Sequence, residues 1–81
     1  MPYFVYVIKS IGNSIHYIGS TSDLANRLAD HNAGRSRFTK GHRPWDLILS
    51  EEYETKAEAI RREKYLKSGK GREIIGKLTK I

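Results

Sequence analysis

The pattern of apolar and polar positions begins with a β-type segment. Residues 3–9, YFVYVIK, are aromatic and β-branched and predict a strand. Gly12 and Asn13 then mark a turn, and the sequence IHYIG at 15–19 resumes the β character, so this part of the chain is expected to form a hairpin. The sequence WDLILSEEY at 45–53 predicts a third strand.

A helical pattern follows the predicted hairpin. Ser22 and Asp23 are suitable residues to begin a helix, because their side chains can accept a hydrogen bond from its first turn. Gly34 is suited to end the helix. The segment GRSRFTKGHRPW at 34–45 has two glycines, a proline and four basic residues, and predicts a loop.

Two further helices are predicted after the third strand. Thr55 and Glu58 form a capping box for a helix that should run to Gly69, and a short last helix is expected around REIIGKL at 72–78. The predicted fold is α+β, a small three-stranded antiparallel sheet flanked by helices in the order β-β-α-β-α-α. At this length we expect one domain, residues 1–81.

Composition narrows the environment in which this domain works. The chain has no cysteine, which excludes a disulfide framework and a cysteine-based zinc site. The first ten residues, MPYFVYVIKS, lack the features of a signal peptide, and no apolar run approaches the roughly 20 residues of a membrane span. We expect a cytoplasmic protein that does not enter a membrane.

The net charge of +6 is unevenly distributed along the chain. Residues 27–43 carry five basic side chains against Asp30, and the part from Arg61 onward carries eight against two glutamates. An acidic stretch at 44–60 separates the two basic blocks. This distribution favours a nucleic-acid partner, although a basic solvated surface would give the same composition.

The first predicted helix carries polar groups beside its apolar face. At about 100° per residue, Leu24, Arg27, Leu28 and His31 fall within an arc of roughly 100°. A structural explanation is available, in which Arg27 extends along the sheet and His31 is satisfied near the helix C-terminus. A shared site on the sheet is the alternative.

Glu63 is a charged residue on the apolar side of the second predicted helix, where it projects among Ala59, Ile60 and Leu66. A carboxylate in such a position requires a partner. Lys67, one turn later, is one candidate, and a divalent metal beside a phosphate is the other.

Two tyrosines complete the candidate site. Tyr6 lies in the first predicted strand and Tyr17 in the second, so a turn at Gly12 and Asn13 brings them close together. Strand tyrosines are usually half-buried packing residues. Two phenols together with a guanidinium, an imidazole and a carboxylate, however, suit phosphodiester hydrolysis.

These residues make the chain similar to the GIY-YIG nuclease family. Tyr17-Ile18-Gly19 is the second motif of that family, Tyr6 is the tyrosine of the first, and Arg27, His31 and Glu63 follow in register. The segment from 38 to 67 is similar to small standalone bacterial members, and the resemblance covers nearly the whole chain. The sequence departs from the family in reading VYV at the first motif and in lacking an asparagine after the glutamate helix.

The resemblance implies a metal-dependent endonuclease that hydrolyses phosphodiester bonds in DNA, in repair or processing, with structure-guided or weakly sequence-specific cutting. Either tyrosine could be the general base, with Tyr6 preferred, Tyr17 its hydrogen-bonded companion and the Tyr6 pKa lowered by nearby positive charge. Arg27 would hold the scissile phosphate, His31 would position or relay a proton, and Glu63 would bind one Mg²⁺ or Mn²⁺. Gly19 would let the chain turn after the strand.

The remaining basic residues are expected to bind nucleic acid, with DNA favoured and single-stranded or branched forms included. Phe38 or Trp45 could stack on a base, but core packing is the preferred interpretation for Trp45. The residues expected to contact flanking phosphates are Arg35, Arg37, Lys40, Arg43 and Lys67.

Two other functions are compatible with parts of the sequence. The first is a nucleic-acid-binding module with a degenerate catalytic site, which the basic blocks explain equally well. The second is a zinc site made by His16, His31 and His42, whose spacings fit no usual ligand pattern.

Overall fold

The sheet is built around its first strand. In the computed structural model, which describes residues 2–37 and 39–79, the strands are β1 (Tyr3–Ser10), β2 (His16–Thr21) and β3 (Trp45–Tyr53). They form the predicted three-stranded antiparallel sheet, and the strand order in the structure is β2-β1-β3. Val5 to Ile8 of β1 are all buried, because helices cover both faces of this central strand. Its sequence is therefore a continuous apolar run and does not alternate between apolar and polar residues.

The predicted hairpin is confirmed. The Ser10 amide donates to the Ile15 carbonyl at 2.9 Å, and the Asn13 side chain accepts a hydrogen bond from the Ile15 amide at 2.9 Å. The strands pair with Tyr6 opposite Gly19 and Ile8 opposite Tyr17, so the two tyrosines are diagonal neighbours on one face.

Helix α1 (Leu24–Ala33) has the predicted ends. The Asp23 carboxylate accepts from the Asn26 amide at 3.1 Å, which satisfies one of the free donors of the first turn. Gly34 ends the helix at φ 80°, a left-handed conformation that glycine adopts readily.

The remaining helices are α2 (Lys56–Lys67) and α3 (Gly69–Thr79). The capping box is confirmed, since Thr55 accepts from the Glu58 amide and donates to the Glu58 carboxylate. The prediction that α2 reaches Gly69 is wrong, because extended backbone at Ser68 ends α2 and α3 begins at the next residue.

The loop between α1 and β3 contains one short turn of 3₁₀ helix, Lys40–His42. It leads to Trp45, which is 4% exposed and donates its indole N–H to the Thr39 carbonyl at 2.9 Å. The expected core packing of Trp45 is therefore confirmed, whereas Phe38 lies outside the described residues.

The two faces of the sheet have separate cores. On one face, the buried residues are Val5 and Val7 of β1, Ala59 and Leu66 of α2, and Ile75 of α3. On the other face, Tyr6, Ile8 and Trp45 pack beneath Leu24 and Leu28 of α1. The edge strand β2 thus lies between two helical layers, with Tyr17 facing α1 and Ile18 facing α2 and α3.

In the ranges that the structure describes, no helix has both the length and the apolar character needed to cross a membrane.

Candidate active site

The Tyr6 phenol is buried beneath the first helix and crosses the neighbouring strand at Gly19. A Cβ added at Gly19 would lie 2.5 Å from the Tyr6 oxygen and 2.7 Å from the carbon that bears it. Only glycine leaves room for the ring at this position. The expected purpose of Gly19, to let the chain turn, is wrong, since β2 continues to Thr21.

His31 connects Tyr6 to the loop. Its Nε2 lies 3.0 Å from the Tyr6 hydroxyl oxygen, and its Nδ1 lies 2.8 Å from Oγ1 of Thr39, so both ring nitrogens have partners. The ring also contacts Tyr17, with the two ring centroids 4.9 Å apart, and the centroids of Tyr6 and Tyr17 are 6.3 Å apart. His31 is fully buried, and the three rings form one cluster.

Burial controls the protonation of this cluster. It is the largest influence that raises the pKa of Tyr6, with Tyr17 and Glu63 adding to the rise and Arg27 opposing it. Burial, followed by the charge of Arg27, lowers the pKa of His31 below 6.5 despite the opposing effect of Asp30. The expectation of a lowered Tyr6 pKa is therefore wrong for the protein alone, in which Tyr6 and His31 are both neutral at pH 7.

Glu63 lies on the other side of β2, where two donors hold its carboxylate. The Ser20 hydroxyl donates to Oε1 at 2.7 Å, and the Lys67 ammonium donates to Oε2 at 2.8 Å. Burial acts to raise the pKa of Glu63, but the hydrogen bonds from Lys67 and Ser20 outweigh it and lower that pKa. Of the two partners considered for Glu63, the structure contains Lys67.

Arg27 is exposed on α1 near the phenols, and its charge influences the pKa of both Tyr6 and His31. Within residues 2–37 and 39–79, no carboxylate lies at ion-pairing distance from its guanidinium. That guanidinium therefore remains available to a phosphate, whose oxygens match its fork of donors.

The basic residues of the loop differ in how firmly they are held. Arg35 pairs with Asp30 at 2.7 Å but is 70% exposed. Arg43 donates Nε to the Lys40 carbonyl at 3.0 Å, and its guanidinium covers Gly34. Arg37 and Lys40 are exposed. All four remain accessible, and Arg43 is the most constrained.

Two residues that sequence reasoning missed, and one whose role it misassigned, complete the arrangement. Thr39 positions His31, Ser20 positions Glu63, and the missing side chain of Gly19 accommodates Tyr6. Ser20 could have been found from strand alternation, which puts it on the face of Ile18. Thr39 is in an irregular loop and gives no periodic signal.

A single carboxylate limits which metal this site could hold. In the part of the chain that the structure describes, no three histidines, aspartates or glutamates are grouped as metal ligands. His31 and His42 have separate partners, in Tyr6 and Asn13. Mg²⁺ and Mn²⁺ suit one carboxylate, because such ions keep several waters and share phosphate oxygens with a substrate. Glu63 therefore fits an ion of this kind.

The protein is a small α+β domain with phenols and an imidazole on one side of an edge strand and a carboxylate on the other. The chain belongs to the GIY-YIG family, because the family's catalytic-domain profile matches residues 2–75.

Several relatives are known by sequence or structure. The chain is 40% identical to a UPF0213 protein of Staphylococcus haemolyticus, over 82% of this chain and 80% of the relative. It is 44% identical to the UPF0213 protein YazA of Bacillus subtilis, over 80% of this chain and 66% of the relative. The solution NMR structure of the UPF0213 protein BH0048 from Bacillus halodurans superposes with a TM-score of 0.57 at 28% identity, covering 98% of this chain and 86% of that one.

Proposed function

We propose that the protein, as a single domain of residues 1–81, is a divalent-metal-dependent endonuclease that hydrolyses phosphodiester bonds in DNA. The proposed substrates are single-stranded or branched as well as duplex DNA, cut with weak sequence preference during repair or processing in the cytoplasm. The observation that carries this proposal is the hydrogen bond between the Tyr6 hydroxyl and neutral His31, within electrostatic reach of Arg27 and Glu63.

Tyr6 and His31 are proposed to act as a proton relay. If His31 donates its Nδ1 hydrogen to Thr39, the lone pair on Nε2 accepts the hydrogen of the Tyr6 hydroxyl. Tyr6 can then take a proton from the attacking water while it passes its own proton to His31. This relay needs no free phenolate, which agrees with the raised pKa of Tyr6.

The other residues hold the substrate. Arg27 would bind the scissile phosphate and stabilise the charge that develops on its oxygens. Tyr17 packs against His31 and would keep the relay shielded from bulk water. Glu63 would hold Mg²⁺ or Mn²⁺, which when bound neutralises charge on the leaving oxygen and orients the phosphate. Arg35, Arg37, Lys40, Arg43 and Lys67 would contact phosphates away from the cleavage point.

The test is cleavage of end-labelled single-stranded, duplex and branched DNA with Mg²⁺ or Mn²⁺, compared with EDTA and with Glu63→Gln. The matched control is Glu73→Gln, an exposed position on α3. We expect products that require metal and Glu63 but not Glu73. RNA versions of the same substrates test the preference for DNA.

A second candidate function is a nucleic-acid-binding module without catalysis. The neutral, buried state of Tyr6 favours it, as do the VYV sequence of the first motif and the lack of an asparagine after α2. It predicts salt-sensitive binding with no cleavage of any substrate in either metal, a result that would overturn the endonuclease proposal.

A further inference from the structure

A pocket of about 590 Å³ lies beside the candidate site, along the edge strand β2. Ile18 and Ile75 give it an apolar part, and His16 and Tyr17 also line it. Its volume falls within the range of about 300–1,000 Å³ that is typical of small-molecule and cofactor sites. Apolar and aromatic surfaces of this size can hold a nucleobase, because every base has a flat π-face that stacks on such groups.

Two cations border the same pocket. Lys67 belongs to the end of α2 and Arg72 to the first turns of α3, and both line the cavity. A negatively charged ligand is therefore favoured, and a nucleotide combines this charge with an apolar base.

The pocket shares two residues with the surroundings of the candidate active site. Tyr17 lines the pocket and contacts His31, and Lys67 lines the pocket and binds Glu63. A DNA strand that follows the edge of β2 from Arg27 to Glu63 would therefore bring a neighbouring nucleotide to the pocket.

We infer that this pocket binds one unpaired nucleotide of the substrate strand, adjacent to the scissile phosphate. The base would occupy the space between β2 and α3, and Arg72 would contact its phosphate. A base in a duplex is stacked and paired, so it cannot enter the pocket without being extruded. This inference rests on the proposed function for the identity of its ligand, and it predicts a preference for DNA with unpaired nucleotides over fully paired DNA.

Gly76 offers a way to obstruct the pocket without replacing any residue of the candidate active site. It lines the cavity from α3, and a Cβ added there would meet no atom of residues 2–37 and 39–79 within 4 Å. The ring of Gly76→Phe should occupy part of the space that a base would need, and Gly76→Ala should leave nearly all of it open. Both replacements favour the helix over glycine, so thermal unfolding should show no loss of stability.

The measurement is binding of a labelled hairpin duplex with a single-stranded tail, and of the same hairpin fully paired, in EDTA. Because no cleavage occurs in EDTA, this assay is independent of catalysis. We expect Gly76→Phe to weaken binding of the tailed hairpin about tenfold, as expected for loss of one stacked base, and to leave the paired hairpin within about twofold. Gly76→Ala should bind both as the unmodified protein does.

A second pair of variants keeps the test decisive if Gly76→Phe disturbs α3. Arg72→Gln should weaken binding of the tailed hairpin more than binding of the paired one. Lys70→Gln, on the same helix but outside the pocket lining, should weaken both equally.

Three results would overturn the inference. The first is equal binding of both hairpins by the unmodified protein, and the second is unchanged discrimination in Gly76→Phe and Arg72→Gln. The third is binding of free 5′-dAMP as tightly as the tailed hairpin, which would make the pocket a site for a free nucleotide. Loss of cleavage with retained discrimination would instead contradict only the catalytic proposal.

Discussion

Replacing Lys67 with methionine should change fold stability, metal binding and nucleic-acid binding by different amounts and in different directions. The Lys67 ammonium is 2.8 Å from Oε2 of Glu63, and the lysine side chain is 53% exposed. Exposed pairs spaced four residues apart on a helix contribute about 0.3–0.5 kcal/mol. Because the Glu63 side chain is only 21% exposed and loses a hydrogen-bond donor, we expect Lys67→Met to lower the free energy of unfolding by about 1 kcal/mol.

The effect on metal binding should be larger and of opposite sign. Lys67 occupies one oxygen of Glu63 and leaves a positive charge close to any ion held there. In an environment close to bulk water, a divalent ion about 5 Å from an ammonium is repelled by roughly 1.5 kcal/mol at low salt. Removing the charge should therefore strengthen Mn²⁺ binding about tenfold.

Nucleic-acid binding should weaken in the same variant. Lys67 lines the pocket beside the site, and loss of one phosphate contact reduces the salt dependence of the binding constant by about one ion. Tighter metal binding together with weaker DNA binding is not expected from a general loss of structure.

The assay is titration of free Mn²⁺ by electron paramagnetic resonance, with DNA binding measured in EDTA at several salt concentrations. Lys56→Met is the control, since Lys56 begins α2 two turns before Glu63 and is exposed. Unchanged or weaker Mn²⁺ binding in Lys67→Met would refute the idea that Lys67 and a metal ion compete for Glu63. Equal gains in both variants would show a general charge effect.

Three other changes test the opposite side of the site. Gly19→Ala should displace the Tyr6 phenol, so the free energy of unfolding measured in urea should fall by about 1–3 kcal/mol and cleavage should be abolished. Full activity in this variant would contradict the close packing of Tyr6 against Gly19. Thr39→Val should cost about 1–3 kcal/mol, because it leaves a buried nitrogen of His31 without its partner, whereas Thr39→Ser should restore stability. Because the pKa of His31 is lower in the folded protein than in the unfolded chain, the unfolded chain takes up this proton at a higher pH. Stability from this residue should therefore be complete above pH 7 and fall as the pH drops through 6.5, and the fall should be smaller in His31→Gln.

Local signals explain which parts of the fold were predictable from sequence. The capping groups at Asp23 and Thr55 and the left-handed Gly34 act within a few residues, so the helix ends follow from short segments. The strand at 45–53 was likewise predicted with its observed bounds. The end of α2 was missed because Ser68 changes direction without a proline or a β-branched residue to mark it.

The roles of several candidate-site residues depend on contacts between segments that are distant in the sequence, and no short segment reveals such contacts. The role of Gly19 follows from its pairing opposite Tyr6, and the role of Thr39 follows from the path of an irregular loop. The direction of the Tyr6 pKa shift was wrong because the charges near the phenol could be inferred from sequence, whereas its degree of burial could not.

In the protein alone, Tyr6 on one side of β2 and Glu63 on the other already have hydrogen-bond partners, and this affects which substrates can bind. Tyr6 is hydrogen-bonded to His31, and Glu63 is neutralised by Lys67. Arg27 is the catalytic candidate that has no carboxylate partner among the described residues. Under the proposed function, a phosphate would therefore be drawn first to Arg27, and a metal ion would have to displace Lys67 before Glu63 could hold it. Because the two parts of the site lie on opposite sides of β2, one ligand can engage both only by following the edge of that strand. A single strand of DNA has the flexibility for this path, and a rigid duplex would need a break, a branch or an unpaired end.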